Sequence, residues 1–244
     1  MIEQTVDIAT PDGACTTFIA HPDRGGPFPA VLFYMDAPGI REELRDMARR
    51  LASAGYYVVL PNMYYREGVM ELGAMDGAPG SDWLKRMFAL MSTLTIPMVM
   101  SDTKALLAYI DAQPAANRGK IGAGGYCMSG RYALSAAATF PDRVTAAASF
   151  YGVSLATDQA DSPHLALSKV KGEVYVACAE TDPYAPPDMV EAVHKALKAC
   201  GARGEVEIHP GTQHGFAFPQ RPAYDKTAAE RHWVRLHALF ARNL

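Results

Sequence analysis

The stretch GAGGYCMSGRYAL, Gly122 to Leu134, sets one cysteine, Cys127, among four glycines. An apolar run, KIGAGGY, precedes it, and an alanine-rich helical pattern, SGRYALSAAATF, follows. A thiol at a sharp strand-to-helix turn is chemically suggestive. Such a turn holds its central residue in a strained backbone conformation, so that the side chain projects from the edge of the sheet, and it needs small neighbours where the chain passes close to itself. Gly125 stands two residues before Cys127. Two residues after it, where this pattern usually has a second glycine, stands Ser129, with Gly130 next. The helix start at Met128 offers backbone N–H groups and a positive dipole end, which favour both a thiolate and a developing oxyanion.

A thiol nucleophile needs a base, and the base needs an acid to orient it. VYVACAETDPYAPP ends one strand-like run and delivers Asp182, and VEIHPGTQHGFAF ends the last one and delivers His214. Both positions lie where a parallel α/β sheet puts its active site, beyond the carboxyl ends of strands. An Asp-Pro after a strand is also a common turn or helix cap. Of the seven histidines, only His214 falls in a glycine-flanked loop after the last strand-like run. His194, His232 and His237 fall on helical patterns and His209 on a strand pattern. Cys127, His214 and Asp182 together specify acyl transfer more sharply than any one of them.

The elements that must position these residues alternate along the chain. TVDIAT and CTTFIAH pair as N-terminal strands around Pro11-Asp12-Gly13. PAVLFYM, YYVVLP, KIGAGGY, VTAAASFYG, GEVYVACAE and GEVEIHP read as further strands, most of them continuously apolar and so buried on both faces. Amphipathic helical patterns separate them. In REELRDMARRLASAG, for example, Leu44, Met47, Ala48, Leu51 and Ala52 share a face and Gly55 ends the helix. This order predicts an α/β fold in one domain, residues 1–244: a mostly parallel sheet of about eight strands, covered on both faces. Between about Asn62 and Met100 the pattern is weakest. MFALMSTLTIPMVM there reads as a buried helix pair or a lid, being too short and too interrupted by Pro97 to span a bilayer.

Composition narrows the partners. A chain of 244 residues with a net charge of -3, mixed in sign, argues against nucleic acid or an anionic membrane as its main partner. No basic segment followed by an apolar run opens the sequence, and no two of Cys15, Cys127, Cys178 and Cys200 form a C-x-x-C pair. The expectation is a cytoplasmic protein with reduced thiols and no metal. Cys15, Cys178 and Cys200 read as small buried hydrophobes.

The segments GGYCMSG, AETDPYAP and QHGFAF, with FYMDAPGIREELRDMARRLASAGYYVVLPNMYYR upstream, resemble the dienelactone hydrolase family of the α/β-hydrolase superfamily. The resemblance runs in order over most of the chain. It implies a Cys–His–Asp triad (Cys127, His214, Asp182) that opens a lactone or enol ester through an acyl-enzyme, without metal or organic cofactor. It implies backbone N–H groups of Met128 and Ala37 as the oxyanion hole. It also implies a thiol-activating role for Asp36, at a position where the family has a glutamate.

The resemblance has a gap. The family's characterised members hold a substrate carboxylate with arginines, one shortly after the triad histidine, yet here Gly215-Phe216-Ala217-Phe218 follows His214 and the next arginine is Arg221. Arg66 and Arg86 lie in the weakly patterned region. An apolar or aromatic ester would suit Phe216 and Trp83, with Phe218 and Met87, if they line the pocket. The expected partner is therefore a small-molecule ester or lactone, bound by a monomer or homodimer. A general carboxylesterase or thioesterase, a redox-sensing thiol protein and an inactive binding protein are the competing readings.

Overall fold

The computed structural model describes all residues 1–244. Its eight strands and flanking helices fall into two compact units, Met1–Arg118 and Gly119–Leu244.

In the first unit, β1 (Ile2–Thr10) and β2 (Gly13–His21) form an antiparallel hairpin. β3 (Phe28–Tyr34) and β4 (Tyr57–Pro61) run parallel, and the order is β1-β2-β4-β3. All of β4 and nearly all of β3 are buried, as their unbroken apolar runs require. The apolar stripe of α1 (Glu42–Ser53) packs on β4 and β2. The weakly patterned region forms a helix pair, α2 (Asp82–Ser92) and α3 (Ile96–Ala112), with Pro97 in the first turn of α3 where its missing N–H costs nothing. The end of MFALMSTLTIPMVM and the run DTKALLAYIDA that follows it form the single helix α3. No helix is long and apolar enough to cross a membrane.

In the second unit, β5 (Ala116–Tyr126), β6 (Val144–Phe150), β7 (Glu173–Thr181) and β8 (Arg203–Gln213) are parallel and adjacent in that order. α4 (Gly130–Thr139) packs on β6, α6 (Pro187–Cys200) on β8, and α7 (Lys226–Asn243) on β6 and β7. α5 (Pro163–Ala166) is a single turn with no counterpart in the sequence reading. Gly122 in β5 is a seat for α7: a Cβ there would lie 2.7 Å from the Phe240 ring.

Candidate active site

Strand register assembles the site. β5 ends at Tyr126, opposite Phe150 at the end of β6, and Thr181 at the end of β7 pairs with Gln213 at the end of β8. The next residue of each chain segment leaves the sheet at the same edge: Cys127, Tyr151, Asp182 and His214. Three of the four are the residues singled out from sequence.

Cys127 has φ 53°, a left-handed conformation that a non-glycine residue adopts only where its surroundings impose it. It opens a 3-10 turn, Cys127–Ser129, that leads into α4. Its carbonyl accepts the N–H groups of Gly130 and of Val153, the latter at 3.1 Å, which pins the bend. The close approaches explain the local composition. A Cβ at Gly125 would lie 2.1 Å from the Ser129 carbonyl oxygen, and one at Gly130 would lie 2.2 Å from Ser149 Oγ. Ser129 itself keeps a negative φ and is fully buried. Glycine is therefore needed at 125 and 130 but not at 129, which accounts for the departure from the usual pattern.

Asp182 performs both of the roles considered for it. One carboxylate oxygen accepts the Tyr184 N–H at 2.9 Å and closes a turn, while the other lies 2.7 Å from His214 Nδ1. Its side chain is 1% exposed. The remaining polar partner of the His214 ring is Cys127. Burial pushes the imidazole pKa down. The charge and hydrogen bond of Cys127, with those of Asp182, outweigh it and raise the value to about 10. Two tyrosine rings flank the imidazole edge-on, Tyr151 at 5.1 Å and Tyr184 at 5.0 Å. Tyr151 also has a positive φ, 37°, and its sequence signal was its place, one residue beyond an apolar strand.

The loop that carries His214 turns at Gly215 (φ 93°) and is anchored by two phenylalanines. Phe216 is fully buried, stacked on His209 at 5.0 Å and edge-on to Tyr151 at 5.1 Å. Phe218 is likewise buried, against Tyr126. Both rings pack beneath the loop that carries His214. The other cysteines are as read: Cys15 and Cys178 are buried, with burial raising their thiol pKa values to about 11 and about 12, and Cys200 is half-buried at a helix end. The structure brings no three His, Cys, Asp or Glu side chains together as a metal site.

The remaining candidates belong to the first unit. Asp36, fully buried, receives both terminal nitrogens of Arg41, at 2.6 and 3.2 Å, and Arg41 also binds Glu43 at 2.6 Å. Sequence reading missed Arg41 and Glu43. Ala37 is buried, and its carbonyl accepts the Tyr64 hydroxyl. Trp83 is half-buried in the first turn of α2. Arg66 binds Asp12 and Asp102, at 2.6 and 2.8 Å.

Comparisons with known proteins identify the family. The profile of the dienelactone hydrolase family matches residues 15–244. A Methylorubrum extorquens protein named "Putative carboxymethylenebutenolidase" is 28% identical over 98% of this chain and 81% of its own length. A Bradyrhizobium protein named "Probable 2-oxo-3-(5-oxofuran-2-ylidene)propanoate lactonase" is 26% identical over 93% of this chain and 89% of its own. A solved structure described as a "Putative Dienelactone Hydrolase" from Klebsiella pneumoniae superposes with a TM-score of 0.87 at 26% identity, covering 98% of both chains. The chain belongs to the dienelactone hydrolase family: it is a hydrolase with the α/β-hydrolase fold.

Proposed function

We propose that the protein hydrolyses a lactone, enol ester or other carboxylic ester through an acyl-enzyme on Cys127. The observation that carries this reading is His214 bonded to Asp182 on one side and to Cys127 on the other, with Cys127 held at a strained turn. An imidazole that keeps its proton to about pH 10 places a positive charge beside Cys127, which favours the sulfur as a nucleophile.

In the first step Cys127 Sγ attacks the carbonyl carbon. The Met128 N–H, at the start of the 3-10 turn, is the oxyanion donor of this unit; one such donor is worth roughly 10²–10³ in kcat. The tetrahedral adduct collapses, the carbon–oxygen bond to the alcohol breaks, and the His214 proton passes to the departing oxygen. In a lactone that oxygen stays tethered to the acyl group. His214, neutral again, takes a proton from water as the water attacks the thioester. The carbon–sulfur bond breaks and releases the carboxylic acid. Asp182 keeps the ring in the tautomer and orientation that both proton transfers require. The roles expected of Asp36, Ala37 and Trp83 are not needed for this reading, which rests on one unit of the chain. The lactonase name carried by the Bradyrhizobium relative supports lactones as a first choice of substrate.

The test is a panel of p-nitrophenyl esters, aryl esters and lactones, measured with wild type and Cys127→Ala. The wild type should hydrolyse at least one class, and the variant should lose about 10⁵-fold or more in kcat. Full activity in Cys127→Ala would refute the covalent mechanism. A wild type inactive on the whole panel would refute the esterase reading.

A further inference from the structure

A cleft of about 400 Å³ opens in the second unit, with Ser154, Asp158, His164, Tyr184, Asp188 and Met189 among its walls, and Tyr184 joins it to His214 by ring contact. Both walls continue from catalytic segments. One follows Val153, whose N–H is bonded to the Cys127 carbonyl. The other begins at Tyr184, whose N–H holds Asp182 and whose ring packs on His214. The first wall is built rigidly. Ser162, buried beneath it, accepts the Thr157 N–H and is hydrogen-bonded to His164 Nδ1, while the His164 N–H returns to the Leu155 carbonyl. The chain's three non-glycine residues with positive φ are Cys127, Tyr151 and Ser154, so backbone strain is confined to the nucleophile, the ring beside His214 and the cleft wall.

The walls are half polar and half apolar, carry the carboxylates of Asp158 and Asp188, and contain neither lysine nor arginine. The Tyr184 ring, half exposed, offers a face to a cation. Resting on the esterase reading above, we propose that this cleft receives the arm of the ester beyond the reacting carbonyl, and that it selects neutral or ammonium-bearing arms over carboxylate-bearing ones. Two exposed carboxylates act through screened charge, so the selection should be on the order of tenfold and should shrink as salt is raised.

The experiment uses two sets of matched esters of equal length. One set carries a terminal trimethylammonium, methyl or carboxylate group on the acyl side, and the other carries it on the alcohol side. The readout is the ratio of kcat/KM for the ammonium ester to that for the carboxylate ester. In at least one set the ratio should be about ten at low ionic strength, should fall in high salt, and should approach one in Asp158→Asn/Asp188→Asn. It should be unchanged in Asp142→Asn, an exposed aspartate paired with Lys171 and not part of the cleft. Equal or better use of carboxylate esters in both sets would overturn the assignment. So would a ratio indifferent to the double substitution, or an equal drop in Asp142→Asn, which would trace the effect to net charge. Hydrolysis of none of the esters would refute the esterase reading, and this assignment with it.

Discussion

Two buried aspartates, one in each unit, are nearly identical in isolation. Asp36 and Asp182 are 0% and 1% exposed, and each has a cationic nitrogen close by, Arg41 at 2.6 Å and His214 at 2.7 Å. The difference is in the partner. A guanidinium is charged at every accessible pH, so the Asp36–Arg41–Glu43 cluster is a fixed clamp at the entrance to α1. An imidazole can gain and lose a proton, and this one reaches onward to a thiol. The same side-chain burial and the same distance thus give a fixed ion pair in one unit and a titratable pair in the other.

Substituting the partners should separate the two. Asp182→Asn keeps the shape of the site but fixes the wrong tautomer of His214. It should lower kcat by roughly 10³–10⁴ while the urea unfolding midpoint moves little. An activity loss below tenfold would mean that Asp182 is only a turn residue. Arg41→Leu should act the other way round. It strands two buried carboxylates and should destabilise the fold by about 3–5 kcal/mol, read from urea unfolding. Unchanged stability would show that Asp36 and Glu43 do not depend on Arg41.

The third substitution has a smaller effect and tests the protonation state. With the imidazole pKa raised to about 10, its proton remains through neutral pH and leaves a positive charge beside Cys127. A positive charge beside the sulfur favours its attack on electrophiles, so iodoacetamide should alkylate wild-type Cys127 at pH 7 about tenfold faster than it alkylates His214→Gln. Equal alkylation rates in the two proteins would show that His214 does not activate Cys127. The same linkage acts on stability. A raised folded-state pKa stabilises the fold fully below about pH 6.5, and that contribution is lost as the pH rises towards 10. The stability advantage of wild type over His214→Gln should shrink across that window. An advantage that grows with pH would contradict the assignment.

Much of the second unit was legible in the sequence. Each residue of the proposed triad is the first residue beyond a strand, and glycine spacing marked the bend at Cys127. The fit of Ser129 was less so, because it depends on which neighbour approaches the backbone, and that neighbour proved to lie against Gly130. The surroundings of Phe216 were open in the sequence for a related reason. An aromatic residue two positions from a catalytic histidine can face the pocket or the core, and only the stacking on His209 decides. Arg41 gave no periodic signal at all: its role is a contact with Asp36, five residues away around a turn. Pro97 marks the start of helix α3, which runs on from the apolar end of MFALMSTLTIPMVM without a break.

The central claim is that Cys127 carries the acyl group. It is tested most directly by mixing the enzyme with excess p-nitrophenyl ester, quenching in acid within the first turnovers, and measuring the intact and peptide masses. The account predicts one acyl group per chain on the peptide that contains Cys127, with none on Cys15, Cys178 or Cys200. Rapid hydrolysis with Cys127 unmodified throughout, or acylation at another residue, would contradict it.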